Sequence, residues 1–258
     1  MVAGIDKFRE AFGAYNESYI IIGGTACDLM LSRLQYEPRA TADIDMIVVV
    51  ENLTENFLRS FLSFIREGGY HPGIRVNKQG ARIYAFYRFD KPEMLGYPVQ
   101  IELLSRHSEL LGVSNDVHVE PIPDGTEMSS LSAIIMNDEV YAFTVRHSVM
   151  ESGLRVADAA ALVVLKVSAY MNMLADQRAG KHVDAKDLRK HRTDVARLLF
   201  AETWDEPVMV PEGVYANIVG LVEEVRADSL QSIADALHVS LPVADELVQG
   251  MTRIFRVV

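Results

Sequence analysis

Two apolar runs, and the residues at their ends, constrain this chain more than any other feature. Ile20-Ile21-Ile22 stops at Gly23-Gly24-Thr25-Ala26, and a helix-length segment later Asp43-Ile44-Asp45 opens the run Met46-Ile47-Val48-Val49-Val50. Both runs read as buried strands, rich in β-branched residues. Side chains two apart on a strand share a face, so Asp43 and Asp45 point the same way and can grip one divalent cation. Gly23 and Gly24 have no side chain, so a phosphate can approach their backbone N–H groups. Taken singly, a Gly-Gly is ordinarily a tight turn and an Asp-x-Asp a solvated strand entry. In this order, with Arg39-x-Thr41 leading into the acids, they read together as a phosphate cradle beside a metal-binding carboxylate pair.

The remaining composition sets bounds. At 258 residues, with 49% hydrophobic and 24% charged residues, the chain has material for one large globular domain or two modest ones. Cys27 is the only cysteine, which excludes an internal disulfide, and it reads as a small buried side chain. Charges in Met1–Glu10 fall where a signal peptide needs its apolar centre. Val156 to Met173 comes nearest to a membrane span but is interrupted by Asp158 and Lys166, so a cytoplasmic protein without a membrane partner is expected. The net charge of −11 excludes a general nucleic-acid binder, whose affinity comes from neutralising phosphates. A short basic stretch, Lys181 to Arg197, remains as a local guide for an RNA end.

The hydrophobic pattern changes along the chain. A short helix over residues 4 to 17 leads into a strand from Ser18 to Ile22. Thr25 is placed to cap a helix from Ala26 to about Tyr36, which Pro38 ends. A strand covers Asp43 to Val50, and Asn52 or Thr54 caps a helix from about Glu55 to Glu67, stopped by Gly68-Gly69. Strands follow at Arg82 to Phe89 and Tyr97 to Leu104, joined by a turn over Asp90 to Gly96, with shorter ones at Val117 to Ile122 and Tyr141 to Val145. Beyond about residue 150 the pattern is helical: Asp158 to Leu174, Ala185 to Phe200, Glu212 to Ala227, Leu230 to Leu237 and Val243 to Phe255. The expected fold is α+β, a small mixed β-sheet core with helices over residues 1–150 and a C-terminal helical domain over 151–258.

The motifs Gly23-Gly24-Thr25-Ala26 and Arg39-x-Thr41-x-Asp43-Ile44-Asp45 resemble those of the DNA-polymerase-β-like nucleotidyltransferase superfamily. The chain is most similar to its AbiEii branch, the toxin-like enzymes of abortive-infection and toxin–antitoxin loci. The resemblance covers scattered blocks and is more specific for the superfamily than for a substrate. It implies a nucleotidyltransferase core that moves an NMP from an NTP to an acceptor hydroxyl, with Mg²⁺, or Mn²⁺ in its place, held by Asp43 and Asp45. It also implies contacts from Gly23, Gly24, Thr25, Arg39 and Thr41 to the nucleotide, and a third metal-binding carboxylate on a later strand. Glu102, inside the apolar run Ile101 to Leu104, is the candidate, although the family places an aspartate there and a glutamate carboxylate reaches further. A glutamate at a strand edge in water is the plain alternative.

The resemblance further implies a triphosphate-directed lysine on the first helix after the core, which matches Lys166, and a Lys…Asp-Leu segment, which the run from Arg178 through Asp187-Leu188 to Asp194 resembles. Asp187, Lys190, His191 and Asp194 share one helical face. A salt-bridged, solvated face explains most of these charges; Asp187, and after it Lys181 and Lys190, are the candidates for function. Lys166 and Asp187 are expected to meet in a cleft closed by the helical domain. As an AbiEii-like toxin the chain would act on RNA (tRNA) or on a protein, opposed by a cognate antitoxin. A small-molecule acceptor of the aminoglycoside type, suited to the negative charge, is the alternative enzyme. A catalytically weakened nucleotide- or partner-binding relative is the non-enzymatic one.

Overall fold

The computed structural model describes residues 2–33, 41–76, 82–106, 119–121 and 132–258. It is a mixed α/β protein that divides into two compact units, Met1–Leu29 with Pro38–Ala157, and Met30–Glu37 with Asp158–Val258.

In the first unit the chain runs α1 (Ile5–Phe12), β1 (Tyr19–Ile22), α2 (Gly23–Arg33), β2 (Asp43–Val48), α3 (Glu55–Glu67), β3 (His71–Val76), β4 (Arg82–Asp90) and β5 (Gln100–Arg106). It continues through β6 (Val119–Pro121), β7 (Ser132–Met136), α4 (Asp138–Arg146), β8 (Ser148–Glu151) and β9 (Leu154–Ala157). These strands form one sheet in the order β3-β4-β5-β2-β1-β9-β8, with β7 beside the far half of β5 and β6 beside β7. Pairing is mixed: β2 lies parallel to β5, and β1 is antiparallel to β2 and parallel to β9.

One face of the sheet is covered by aromatic residues. Phe8 and Phe12 of α1, Tyr19 of β1 and Phe57 and Phe61 of α3 are fully buried and pack ring against ring, mostly edge-on or tilted. Edge-to-face pairs add to the burial of each ring. Strand alternation sends Ile44 and Met46 of β2, and Ile101 and Leu103 of β5, into the buried layers. The intervening positions carry Asp43, Asp45, Gln100 and Glu102.

Several elements depart from the expectations above. Tyr141 to Val145 is helix, not strand. Asn137 caps α4, its side chain accepting from the backbone N–H groups of Glu139 and Val140, and Asp138 and Glu139 fall in the first turn. These start signals override the β-propensity of Tyr-Ala-Phe-Thr-Val. Asn137→Ala is expected to destabilise the protein by about 1 kcal/mol, read as a fall in the denaturation midpoint. Thr25 does not cap α2, which already begins at Gly23. Thr54, rather than Asn52, caps α3, accepting from Phe57 N at 3.2 Å. The edge strand β3 holds Pro72 and Gly73, which had hidden it, and its pairing with β4 shifts register between them.

The unit boundary falls at Ala157 rather than 150, because β8 and β9 form a hairpin that joins the sheet beside β1. Its two turn residues, Ser152 and Gly153, both have positive φ, as a two-residue hairpin turn requires. The parts of the expected helix and strand at residues 34–38, 117–118 and 122 lie outside the described residues.

The second unit contains α5 (Ala159–Arg178), α6 (Ala185–Ala201), β10 (Val208–Val210), α7 (Glu212–Asp228), α8 (Leu230–Leu237), α9 (Leu241–Ile254) and β11 (Phe255–Val257). The chain leaves α9 at Phe255, which pairs with Val208 in a small parallel ribbon. By length and composition α5 is apolar enough to cross a membrane, but 56% of that stretch is buried within the protein, the pattern of a core helix. Asp158 starts it by accepting from Ala161 N.

Candidate functional site

Asp45 of β2 stands directly beside Glu102 of β5, and Arg88 of β4 stands beside Glu102 on its other side. Three adjacent strands therefore place an arginine and two carboxylates on one rung and one face of the sheet. Asp43, two residues before Asp45, shares that face and is exposed, while Asp45 and Glu102 are half-buried. Ile22, the last residue of β1, pairs with Asp45 on the same rung, so α2 starts at the end of it.

Gly23 is required here. Its φ is +70°, and a Cβ at this position would lie 2.2 Å from Oδ2 of Asp45. The missing side chain lets the carboxylate sit against the start of α2, where first-turn N–H groups lack helical acceptors and a negative charge is favoured. Gly23→Ala combines left-handed strain with this clash. It is expected to cost about 2 kcal/mol and to displace Asp45. Thermal denaturation and a crystal structure of the variant check both effects.

Glu102 feels the charges of both aspartates. Burial pushes the Glu102 carboxyl above the ordinary range, the charge of Asp45 raises it further, Arg88 pulls it down, and Asp43 raises it. Arg88 Nε lies 3.5 Å from Glu102 Oε1. Among the described residues no group of three His, Cys, Asp or Glu side chains is gathered closely enough to hold a metal ion. The donor set is nonetheless of the right chemistry for a hard divalent cation such as Mg²⁺ or Mn²⁺: carboxylate oxygens of like charge on one face.

Thr25 is fully buried, and its hydroxyl donates to the backbone carbonyl of Asp43. This corrects its reading as a phosphate contact: it ties α2 to the start of β2 and so positions the acids. Thr41 is half-buried just before β2. Arg39 lies outside the described residues.

Lys166 and Asp187 belong to the second unit, and the expectation that they meet is corrected. Lys166 Nζ bonds Asp194 Oδ2 at 2.8 Å, with side chains only 5% and 7% exposed, and Asp187 is exposed in the first turn of α6. The reason is register. α5 and α6 form an antiparallel hairpin that turns at Gly180 (φ +81°), and Lys166 and Asp194 lie equally far before and after it. Asp187 is too close to the turn to face Lys166. Lys181 is exposed and pairs with Asp176 at 2.7 Å.

His191, one turn before Asp194, is also affected by the pair. Burial lowers its pKa to about 4, and Lys166 and Lys190 act the same way against the opposing charges of Asp194 and Asp187. The folded protein therefore favours the neutral imidazole. Its stabilising contribution is complete above the ordinary value of 6.5 and is lost as pH falls from there towards about 4. The expected loss is on the order of 2 kcal/mol. His191→Gln should flatten this part of a stability–pH curve.

Sequence reading missed Arg88 and left Asp194, which is buried against Lys166, among the solvated charges of its helix face. Both were accessible in principle. The turn over Asp90 to Gly96 centres a hairpin that pairs Arg88 with Glu102, and the Gly180 turn pairs Lys166 with Asp194. No protein-family model matches the chain, and no curated protein matches it in sequence.

Proposed function

We propose that this protein is a Mg²⁺-dependent nucleotidyltransferase of the AbiEii-like type, moving an NMP from an NTP to an acceptor hydroxyl with release of pyrophosphate. The observation that carries the reading is the rung itself: Asp45 beside Glu102, Asp43 on the same face, and Gly23 opening a helix against Asp45. The motif order Gly-Gly-Thr then Asp-x-Asp supports it, and a three-carboxylate face is what phosphoryl chemistry calls for.

Asp43, Asp45 and Glu102 would hold the divalent cation, which when bound neutralises triphosphate charge and lowers the pKa of an acceptor hydroxyl. The first-turn N–H groups at Gly23 and Gly24 are suited to donate to phosphate oxygens. The acceptor oxygen attacks the α-phosphorus in line, the bond to the pyrophosphate oxygen breaks, and the hydroxyl proton leaves. Glu102, on the rung beside Asp45, is the carboxylate suited to take that proton.

RNA, tRNA in particular, or a protein is the proposed acceptor, with a small-molecule acceptor second. An acidic chain suits a short RNA footprint or a protein more than a long nucleic-acid groove. A cognate antitoxin is the proposed partner, and the reading needs no membrane. The ion pair between Arg88 and Glu102 favours a second reading, a weakened relative that binds nucleotide without transfer. Incubating the protein with each α-labelled NTP, Mg²⁺ or Mn²⁺, and RNA or cell extract distinguishes them. Labelled RNA or protein is expected. NTP binding without label transfer would favour the weakened relative, and neither binding nor transfer would overturn both.

A further inference from the structure

Arg88 is the part of the rung that the proposed chemistry leaves unused. Its register beside Glu102, with Asp45 on the far side, sets one positive and two negative charges side by side on neighbouring strands. At 3.5 Å the Nε to Oε1 approach is an ion pair but not a tight one, and Arg88 is 46% exposed where Glu102 is 21% exposed. A guanidinium in such a place can swing into solvent at little cost, whereas the strand holds the carboxylate.

We infer that Arg88 is a positioning residue for Glu102, holding its carboxylate on the β4 side of the rung in competition with a divalent cation. This rests on the site reading proposed above. Like charges on Asp45 and Glu102 repel when no cation lies between them, and Arg88 offsets part of that repulsion. A bound cation takes over the offset, and Arg88 then keeps Glu102 directed to its own side of the site. Arg88 thereby weakens cation binding and sharpens the geometry of the bound state. These opposite effects separate it from a general surface charge.

The test is Mn²⁺ binding to the purified full chain by calorimetry, with melting temperature measured without metal. Wild type is expected to bind Mn²⁺. Arg88→Gln should bind it about fivefold more tightly, with a lower metal-free melting temperature. In a Glu102→Gln background the same substitution should leave Mn²⁺ affinity unchanged, because its effect passes through Glu102. Where a transfer assay is in hand, Arg88→Gln should lower kcat with little change in KM for NTP. Arg88→Lys keeps the charge on a more hydrated group and should shift affinity the same way by about twofold, which serves if the glutamine variant fails to fold.

Affinity unchanged or weakened in Arg88→Gln overturns the inference, as does tightening that persists in the Glu102→Gln background. Absence of Mn²⁺ binding by wild type overturns the site reading itself, and the inference with it.

Discussion

Asp45→Asn is expected to lower nucleotide transfer about a thousandfold or more while the metal-free protein stays folded with an unchanged or higher melting temperature. Asn preserves the shape of the side chain beside Gly23, so the packing there survives. What is lost is one of two charges that stand side by side, and without a cation their mutual repulsion is a cost to the fold. The substitution therefore separates function from stability with opposite signs. A transfer assay and a thermal melt made on the same preparation check it. A variant that keeps full Mg²⁺-dependent activity would remove Asp45 from the site.

The largest effect on stability is expected in the second unit. Lys166 and Asp194 are almost fully buried and bonded at 2.8 Å, so removing either takes a close opposite charge from the other in a poorly solvated place. Asp194→Ala is expected to cost about 3–5 kcal/mol, as is Lys166→Ala. Replacing both by apolar residues of similar volume, Lys166→Met with Asp194→Leu, should recover most of the loss, since a buried pair is often no better than packed hydrocarbon. Asp187→Ala, at an exposed position, should stay within about 0.5 kcal/mol of wild type. Urea denaturation of the four variants decides the matter. A neutral Asp194→Ala would mean that the pair is solvated in solution, and a costly Asp187→Ala would restore the expected pairing of Lys166 with Asp187.

What a single sequence determines here is local. Thr54 ahead of an apolar periodic stretch starts α3, Asp158 and Asp184 start α5 and α6, and the Asp-x-Asp at the mouth of β2 puts two acids on one face. Each follows from backbone geometry within a few residues. Where two local signals competed, as between the cap at Asn137 and the strand-like Tyr141 to Val145, the reading went wrong because propensity alone does not say which will prevail.

Tertiary structure decided everything that depends on register between distant segments. Glu102 acquires Asp45 as a neighbour only because β5 lies parallel to β2, and acquires Arg88 only because β4 folds back upon it. Lys166 finds Asp194 rather than Asp187 because Gly180 sets where the helices turn. Thr25 serves the strand, not a ligand, because its hydroxyl is buried against the carbonyl of Asp43. A strand slipped by one residue sends its side chains to the opposite face, and a helix hairpin shifted by one turn changes every partner along it. The residue types of the site can thus be read along the chain, while their partners and charge states come from long-range pairing that no local pattern encodes.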